Sequence, residues 1–564
     1  MIKSGPMLNA YPDSIGDKLA DIIGVLKTPE LDQAFQSFYI LPSVFNTDLD
    51  RGFSVIDYEL NENYASMEDL RELAEMGITL KLDFVLNHSS VLSKQFQDIL
   101  RNGEKSKYKD FYIDWNKFWD GCGRMTEEGY IQPDDRYISE MFFRKPGLPI
   151  LNVRMPDGRE VPYWNTFYQE VSYRHIDVQD LMRAMEIQYT SAEMLAGIVN
   201  KALLEGKRPA EIELGQFSRY RESVIDMLES RRKYLGQMDL NIKSPLVWEY
   251  YDDTLKRLSQ YGAEIVRLDA FAYAPKEPGA KNFLNEPGTW NLLGRIKALA
   301  DKYGLTLLPE IHSKYEEKIH EKLAEQGYLT YDFFLPGLII DALERNRNEF
   351  LIKWITDIGE KGIRTVNMLG CHDGIPLLDL KGLISDEQIE SLIKTVVDRG
   401  GYVKDLHGSR NMYYQVNAAY YSALGEDDRK LLLARAIQIF MPGKPQVWYL
   451  DLFAGGNDHE AVEKAGPGGH KEINRTNLTL EQVSEGLGRD IVRRQLSLLR
   501  FRNAFPAFGL DARLTIHSTK PEILKLCWEN NGCKATLEAD LKNYSFQIEA
   551  VDEKGETTNI LSDD

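Results

Sequence analysis

Four acidic residues follow short apolar runs of the kind that form buried strands. Asp83, Asp269, Glu310 and Asp373 each lie at or just beyond the end of such a run. A charge beside a buried apolar run destabilises the fold unless it is paired with an opposite charge, and an unpaired one is usually retained for binding or catalysis. For any one of these residues, a structural carboxylate paired with a positive charge is the simpler interpretation. That interpretation would have to be true of all four residues at once, which favours a shared function instead. The pattern therefore indicates an active site built from carboxylates.

Three carboxylates that lie close together at one edge of a fold have the chemistry that retaining glycosyl transfer needs. One is the nucleophile, and a second, roughly 5 to 5.5 Å away, protonates the leaving oxygen. A third can stabilise the oxocarbenium-like transition state. An arginine two residues before the nucleophile keeps it ionised, and Arg267 and Asp269 have that spacing. Histidines such as His88 and His372 can donate hydrogen bonds to sugar hydroxyls.

The elements that must position these residues alternate between strand and helix. The number of strand–helix units favours a closed parallel (β/α)8 barrel (TIM barrel, class α/β) over an open sheet. Long segments after strands would then stand over the carboxyl-terminal face, where active sites form. Strands are predicted near residues 7–11, 38–41, 80–85, 264–268, 305–309, 329–333, 364–369 and 446–450.

Breaks in this alternation predict the domain organisation. The barrel is expected to comprise residues 1–86, 246–370 and 418–506, with an inserted B domain at 87–245 and a second loop insertion at 371–417. The tail, 507–564, alternates like a small antiparallel β domain with strands at 513–517, 523–527, 535–539 and 544–548.

Residues 177–236 within the B domain have a helical pattern. Thr190 to Glu193 resembles a capping box, and basic residues at 231–233 suit a helix end. A structural helical hairpin is one interpretation. A lid over the active site or a dimer contact are the alternatives, and the sequence does not decide among them.

Composition narrows the class of protein. The chain has 68 Lys and Arg against 87 Asp and Glu, a formal net charge of −19, which disfavours nucleic acid and anionic membranes as partners. No apolar run is long enough to span a bilayer, and residues 1–10 lack the core of a signal peptide. The four cysteines are too scattered for a disulfide framework. We therefore expect a cytoplasmic protein.

The motifs together resemble the α-amylase superfamily, glycoside hydrolase family 13. Asp83–His88 resembles its D-x-x-x-N-H motif, Arg267 to Asp269 its R-x-D motif, and His372-Asp373 its H-D motif. Further runs resemble the sucrose phosphorylase subfamily, which includes sucrose 6′-phosphate, glucosylglycerol and glucosylglycerate phosphorylases. These runs are Asp50-Arg51-Gly52-Phe53, Gln237-Met238-Asp239-Leu240-Asn241, Leu268 to Tyr273, Pro309-Glu310-Ile311-His312, Tyr420 to Gly425, Pro445-Gln446-Val447 and Ile473-Asn474-Arg475.

The resemblance implies a role for each matching residue. Asp269 would be the nucleophile, Glu310 the general acid/base and Asp373 the transition-state stabiliser. Asp50 and Arg475 would form an ion pair at the far end of a glucose pocket. The remaining substrate-binding residues would contact glucose, position the nucleophile or lie beside the acid/base; they are Phe53, His88, Gln237, Arg267, Tyr273, His312 and His372.

The acceptor half departs from the sucrose phosphorylase pattern. The subfamily's Arg-Pro-Arg-Pro-Gly run reads Phe143-Arg144-Lys145-Pro146-Gly147 here, closer to the sucrose 6′-phosphate group. The subfamily's Asn-Leu-Asp-Leu-Tyr-Gln loop reads Arg410 to Gln415, with Met412 in place of Asp. Cationic side chains suit a phosphate or carboxylate ligand. We expect phosphate and an anionic or phosphorylated acceptor to bind at Arg144, Lys145, Arg410, Tyr414 and Gln415.

The sequence therefore predicts a retaining glucosyl phosphorylase with a sucrose-like α-glucoside and inorganic phosphate as its substrates. It would form α-D-glucose 1-phosphate through a covalent glucosyl-aspartate. A hydrolase or transglucosidase with the same triad is the alternative, and a non-catalytic sugar-binding relative is disfavoured because all three carboxylates are present. No metal or other cofactor is expected, and a homodimer is left open.

Overall fold

The computed structural model describes residues 2–144, 147–406, 412–466 and 468–563. Lys145 and Arg410, two of the predicted acceptor-binding residues, lie outside the described residues.

A parallel eight-stranded sheet forms the centre of the molecule. Its strands are β1 Met7–Ala10, β2 Ser37–Ile40, β3 Thr79–Val85, β4 Ala263–Asp269, β5 Thr306–Pro309, β6 Leu329–Asp332, β7 Arg364–Met368 and β8 Lys444–Trp448. The hydrogen-bonded order is β5-β4-β3-β2-β1-β8-β7-β6, and every pair is parallel. The two end strands, β5 and β6, run close to each other, so the sheet is nearly closed. The predicted (β/α)8 barrel is confirmed.

The barrel helices form because their apolar residues recur on one face. The helix Met67–Glu75 buries Leu70 and Leu73, and Ser66 and Asp69 form the reciprocal capping box at its start. The helices outside the two loop insertions are Leu19–Leu26, Met67–Glu75, Pro245–Gln260, Gly288–Asp301, Ile319–Glu325, Leu335–Arg345, Glu349–Glu360, Tyr420–Ala423, Asp428–Phe440, Tyr449–Leu452, His459–Ala465, Leu480–Leu487 and Asp490–Ala504.

The segment after β3 is a layer of short strands and helices. Its strand Arg232–Asp239 lies between His88–Ser90 and Gln169–Tyr173, antiparallel to both. This pairing places Gln237 opposite Ser90, so the start and the end of the insertion meet beside the barrel. The other elements between residues 91 and 164 are Lys94–Asn102, the 3-10 helix Gly103–Lys105, Trp115–Phe118, Gly123–Met125, Ile131–Pro133, Asp135–Ile138, Ile150–Arg154 and Glu160–Trp164.

The predicted helical segment 177–236 is partly wrong. The helices Val178–Met185, Tyr189–Leu204 and Arg221–Glu229 are present, but residues 232–236 belong to a strand because they pair with Gln169–Tyr173. The capping box at Thr190 is absent, since the second helix already begins at Tyr189. The three helices bury a small apolar cluster of their own, separate from the main core.

Two further units complete the described chain. After β7, the helix Asp386–Asp398 precedes the antiparallel strands Tyr402–Leu406 and Met412–Asn417. The tail forms a five-stranded antiparallel sheet whose strands pair in chain order: Arg513–Ile516, Ile523–Asn530, Cys533–Asp540, Ser545–Val551 and Thr557–Asp563. No helix among the described residues has the length and hydrophobicity that crossing a membrane requires.

Candidate active site

Three carboxylates meet at the carboxyl-terminal rim of the barrel. Asp269 is the last residue of β4, Glu310 follows β5 directly, and Asp373 lies in the turn after β7. Because all barrel strands are parallel, their carboxyl ends share one rim. The side chains of Glu310 and Asp373 line the same cavity.

One buried guanidinium joins two of these carboxylates. Arg267 Nη1 lies 2.9 Å from Asp269 Oδ1, and its Nη2 lies 2.6 Å from Glu310 Oε1. Nη1 also lies 2.5 Å from Asp83 Oδ1, and Asp83 Oδ2 accepts a hydrogen bond of 2.8 Å from Tyr39. Asp83 is fully buried. It therefore orients Arg267 rather than facing the cavity.

The charge state of Asp269 reflects two opposing effects. Burial raises its pKa, and the neighbouring carboxylates of Glu310 and Asp83 raise it further, whereas the Arg267 guanidinium lowers it. Burial and the two neighbouring carboxylates together outweigh Arg267, so the pKa of Asp269 lies well above its usual range. Ala270 follows Asp269 with a φ of 52°, so the chain turns sharply in the left-handed region at this point.

Asp373 is held as an anion. Its Oδ1 lies 2.7 Å from Lys471 Nζ and 4.0 Å from Arg475 Nη2, and its Oδ2 lies 3.2 Å from His372 Nε2. Burial alone would raise the pKa of Asp373, but contact with the His372 ring and the positive charges of Lys471 and Arg475 outweigh burial and hold that pKa well below its usual range. Burial lowers the pKa of His372, so the imidazole is neutral at pH 7.

Glu310 and Asp373, but not Asp269, line a cavity of about 390 Å³ that is open to solvent. Its walls combine aromatic rings with a few charged groups, as the walls of small-ligand pockets generally do. The lining residues are Tyr39, Arg267, Glu310, His312, Tyr331, Phe333, Pro336, Met368, Leu369, Cys371, His372, Asp373, Gly374, Pro376 and Gln446.

Four of the predicted glucose-binding residues cluster around Phe53. The Phe53 ring stacks on His372 with centroids 5.0 Å apart, and Arg267 lies 5.4 Å from the same ring. The Phe53 carbonyl accepts hydrogen bonds from His88 Nε2 at 2.9 Å and from Gln237 Nε2 at 3.2 Å. The strand pairing of Arg232–Asp239 with His88–Ser90 is what brings His88 and Gln237 together.

The predicted ion pair between Asp50 and Arg475 is absent from the described residues. Arg475 instead lies 3.4 Å from Glu472 and 4.0 Å from Asp373. Residues 50–52 all have positive φ, and this turn directs Arg51 to the Arg475 carbonyl, to which it donates at 2.8 Å. Asp50 is near enough to raise the pKa of Arg475, but it forms no pair with it.

A second group of side chains, formed by Arg144, Phe167 and Tyr273, contacts His88 through the ring of Phe167. Arg144 Nη1 donates to the Tyr273 hydroxyl at 3.1 Å, and its guanidinium lies 4.9 Å from the ring of Phe167. Phe167 contacts Tyr273 and His88 with centroid distances of 5.3 and 4.8 Å. Arg144, which was predicted to bind the acceptor, and Tyr273, which was predicted to bind glucose, are thus brought together.

His312 lies between the acid/base and a buried carboxylate. Its Nε2 is 3.8 Å from Glu310 Oε1, and its Nδ1 is 2.9 Å from Asp379 Oδ2. Burial disfavours the charged imidazole, but Asp379 and then Glu310 outweigh burial and raise the pKa of His312. Gln415 lies 3.4 Å from His312 Nε2 and is itself buried. The side chain of Tyr414 lies outside the described set.

A buried lysine connects the loop after Asp269 to the insertion. Lys276 Nζ lies 2.7 Å from Asp239 Oδ2, 3.0 Å from Asn87 Oδ1 and 2.6 Å from the Tyr273 carbonyl. This ammonium fixes the loop that carries Tyr273. Within the part of the chain that the structure describes, no group of three His, Cys, Asp or Glu side chains could hold a metal ion.

Sequence reasoning missed Lys471, Asp379 and Phe167. Lys471 is two residues before the recognised run Ile473-Asn474-Arg475, and Asp379 is six residues after Asp373. The only signal in the sequence for these two residues was that they lie close to those motifs. Phe167 had none, because one aromatic residue in an insertion is most often part of a core.

An eight-stranded parallel barrel with this constellation defines a carbohydrate-active enzyme of the α-amylase type. The model of the α-amylase catalytic domain matches residues 9–133. A sucrose 6(F)-phosphate phosphorylase from Ilumatobacter coccineus is 49% identical over 551 residues, covering 96% of this chain and 95% of that one. A sucrose phosphorylase from Streptococcus mutans is 29% identical and covers 96% of both chains.

A solved structure extends the likeness to the whole fold. The crystal structure of sucrose 6F-phosphate phosphorylase from Thermoanaerobacter thermosaccharolyticum superimposes with a TM-score of 0.80 at 33% identity, covering 99% of this chain and 98% of that one. The chain belongs to the sucrose phosphorylase subfamily of glycoside hydrolase family 13.

Proposed function

We propose that the protein is a retaining glucosyl phosphorylase whose donor is sucrose 6F-phosphate. Inorganic phosphate would cleave this donor to α-D-glucose 1-phosphate and fructose 6-phosphate. The observation that carries the proposal is the Arg267 guanidinium, 2.9 Å from Asp269 and 2.6 Å from Glu310, beside a cavity that Asp373 also lines. The phosphorylated acceptor is supported by the name of the relative at 49% identity.

In the first half-reaction Asp269 attacks the anomeric carbon. The bond from that carbon to the fructosyl oxygen breaks, and Glu310 donates its proton to the departing oxygen. Positive charge develops on the glucosyl ring in the transition state. The Asp373 carboxylate, whose negative charge Lys471 and Arg475 sustain, stabilises that charge. The product of this step is a glucosyl ester of Asp269.

In the second half-reaction a phosphate oxygen attacks the same carbon. The ester bond to Asp269 breaks, and Glu310 takes back a proton from phosphate. Each displacement inverts the anomeric carbon, so two displacements retain the α configuration. Because Arg267 stays paired with Asp269, the carboxylate leaves as a stabilised anion.

Two cationic groups would bind the phosphoryl oxygens of the acceptor and of inorganic phosphate. Arg144 contacts Tyr273 and Phe167, and its planar fork suits a phosphoryl group. His312 is adjacent to Glu310, and its raised pKa favours the imidazolium. Contributions from Lys145 and Arg410 stay predictions, as do a cytoplasmic location and a homodimer.

A donor panel tests this proposal. Sucrose 6F-phosphate, sucrose, glucosylglycerate and glucosylglycerol are each incubated with and without phosphate, and glucose 1-phosphate is measured. We expect sucrose 6F-phosphate to have the highest kcat/KM and its turnover to depend on phosphate. Asp269→Asn serves as the inactive control, since an amide is a far weaker nucleophile than a carboxylate.

Two results would contradict different parts of the proposal. If a neutral donor is cleaved best, the phosphorylated acceptor is wrong. If turnover does not depend on phosphate, the enzyme is a hydrolase or transglucosidase with the same triad.

A further inference from the structure

A short turn, residues 469–475, is attached to the turn that carries Asp373. Asn474 Nδ2 donates to the carbonyls of Cys371 and Asp373, both at 2.8 Å. Arg475 Nε donates to the carbonyl of His372 at 2.8 Å. These three hydrogen bonds hold the backbone of one turn against the other without any contribution from Lys471.

Lys471 makes a different kind of contact from the same turn. Its Nζ lies 2.7 Å from Asp373 Oδ1, while the Arg475 guanidinium is 4.0 Å from that oxygen. The other oxygen, Oδ2, lies against His372, which burial keeps neutral. Lys471 is therefore the nearest positive charge to this carboxylate, and both side chains are largely buried, 23% and 15% exposed.

We propose that Lys471 is a positioning residue for the transition-state stabiliser. Its ammonium fixes the rotation of the Asp373 carboxylate toward the cavity and keeps it ionised, so that the negative charge meets the developing positive charge on the glucosyl ring. The proposal rests on the glucosyl transfer described above. It does not depend on the identity of the acceptor or on phosphate.

Removal of Lys471 should affect the rate of the reaction and not the fold of the turn. The backbone anchors from Asn474 and Arg475 remain when the lysine is removed, so the fold of the turn should persist. The loss should then fall on the rate of the step that develops positive charge. A charge-assisted hydrogen bond of this kind corresponds to about a 10- to 100-fold change in rate.

The test uses α-D-glucosyl fluoride as donor. Its carbon–fluorine bond breaks as Asp269 forms the ester, and fluoride leaves without a proton from Glu310 and without any sugar acceptor. Fluoride release therefore reports glucosyl transfer to Asp269 even if the proposed donor, sucrose 6F-phosphate, proves wrong. The variants are Lys471→Ala and Lys471→Arg, with the exposed Lys464→Ala on the preceding helix His459–Ala465 as matched control.

We expect Lys471→Ala to lower kcat/KM for fluoride release about 10- to 100-fold, with an unchanged melting temperature. Added methylammonium or ethylammonium should restore part of the rate, and Lys471→Arg should retain most of it. The proposal is overturned if Lys471→Ala releases fluoride at the wild-type rate. It is also overturned if the rate falls in Lys471→Ala and Lys471→Arg alike and no amine restores it, because that result indicates a structural role.

Discussion

At the residue scale, the charge on His312 depends on one buried carboxylate. Asp379 lies 2.9 Å from Nδ1 and is the main cause of the raised pKa of His312. Asp379→Asn removes this charge, so burial leaves the imidazole neutral at pH 7. The KM for sucrose 6F-phosphate should then rise roughly tenfold or more, since a hydrogen bond to a charged group contributes about 1.5–3 kcal/mol. The wild type should show the same rise only at higher pH, where its imidazolium loses its proton. Initial rates from pH 6 to 8 give the KM of the wild type and of Asp379→Asn, with the exposed Glu390→Gln as control. An unchanged KM in Asp379→Asn would refute a role for the imidazolium.

At the scale of elements, the helical part of the insertion forms a separate packing unit. Tyr173 and Arg232 face each other at its base, so its ends already meet in an antiparallel pair. Replacing residues 174–231 by Asn-Gly, which forms a two-residue hairpin turn, should leave the barrel folded. Arg232 keeps its partner Glu160 at 2.8 Å. We expect a stability loss of about 1 kcal/mol, which is roughly 1 °C in Tm for a chain of this size, with fluoride release retained. Calorimetry measures the stability and sedimentation the oligomeric state. A Gly-Ser-Gly linker is the control, and insolubility with both linkers would show that the barrel needs the insertion. Loss of a dimer would identify the insertion as its interface.

At the scale of the whole molecule, the C-terminal sheet shares a core with the barrel. Trp528 is 3% exposed, and its Nε1 donates to the Phe440 carbonyl at 2.8 Å. Trp528→Ala should lower the free energy of unfolding by about 3–5 kcal/mol, because a large buried ring is lost. The kcat of the folded fraction should not change, since Trp528 packs on Phe508 and Arg502 and not on residues of the cavity. Urea unfolding measures the free energy of unfolding of Trp528→Ala, with the exposed Lys534→Ala as control. A loss of kcat in folded Trp528→Ala would instead show that the sheet affects the active site.

The sequence by itself determined the elements that follow from local pattern. Apolar runs predict the eight barrel strands, because a strand buried on both faces must be continuously apolar. Arg267 and Asp269 are two residues apart on one strand, so their side chains point to the same face, and their ion pair could be expected from spacing alone. The rim position of Glu310 follows in the same way from the end of an apolar run.

Only the tertiary structure decided which distant groups meet. Residues 232–236 have a pattern compatible with a helix, and they form a strand because Gln169–Tyr173 offers an edge to pair with. Asp50 and Arg475 were expected to pair. Residues 50–52 have positive φ angles instead, and Arg51 donates to the carbonyl of Arg475. The contact of Lys471 with Asp373 joins residues far apart in the chain. Local periodicity encodes which face of an element is buried, whereas the partner of a buried charge depends on how separate elements pack, and no short-range pattern records that choice.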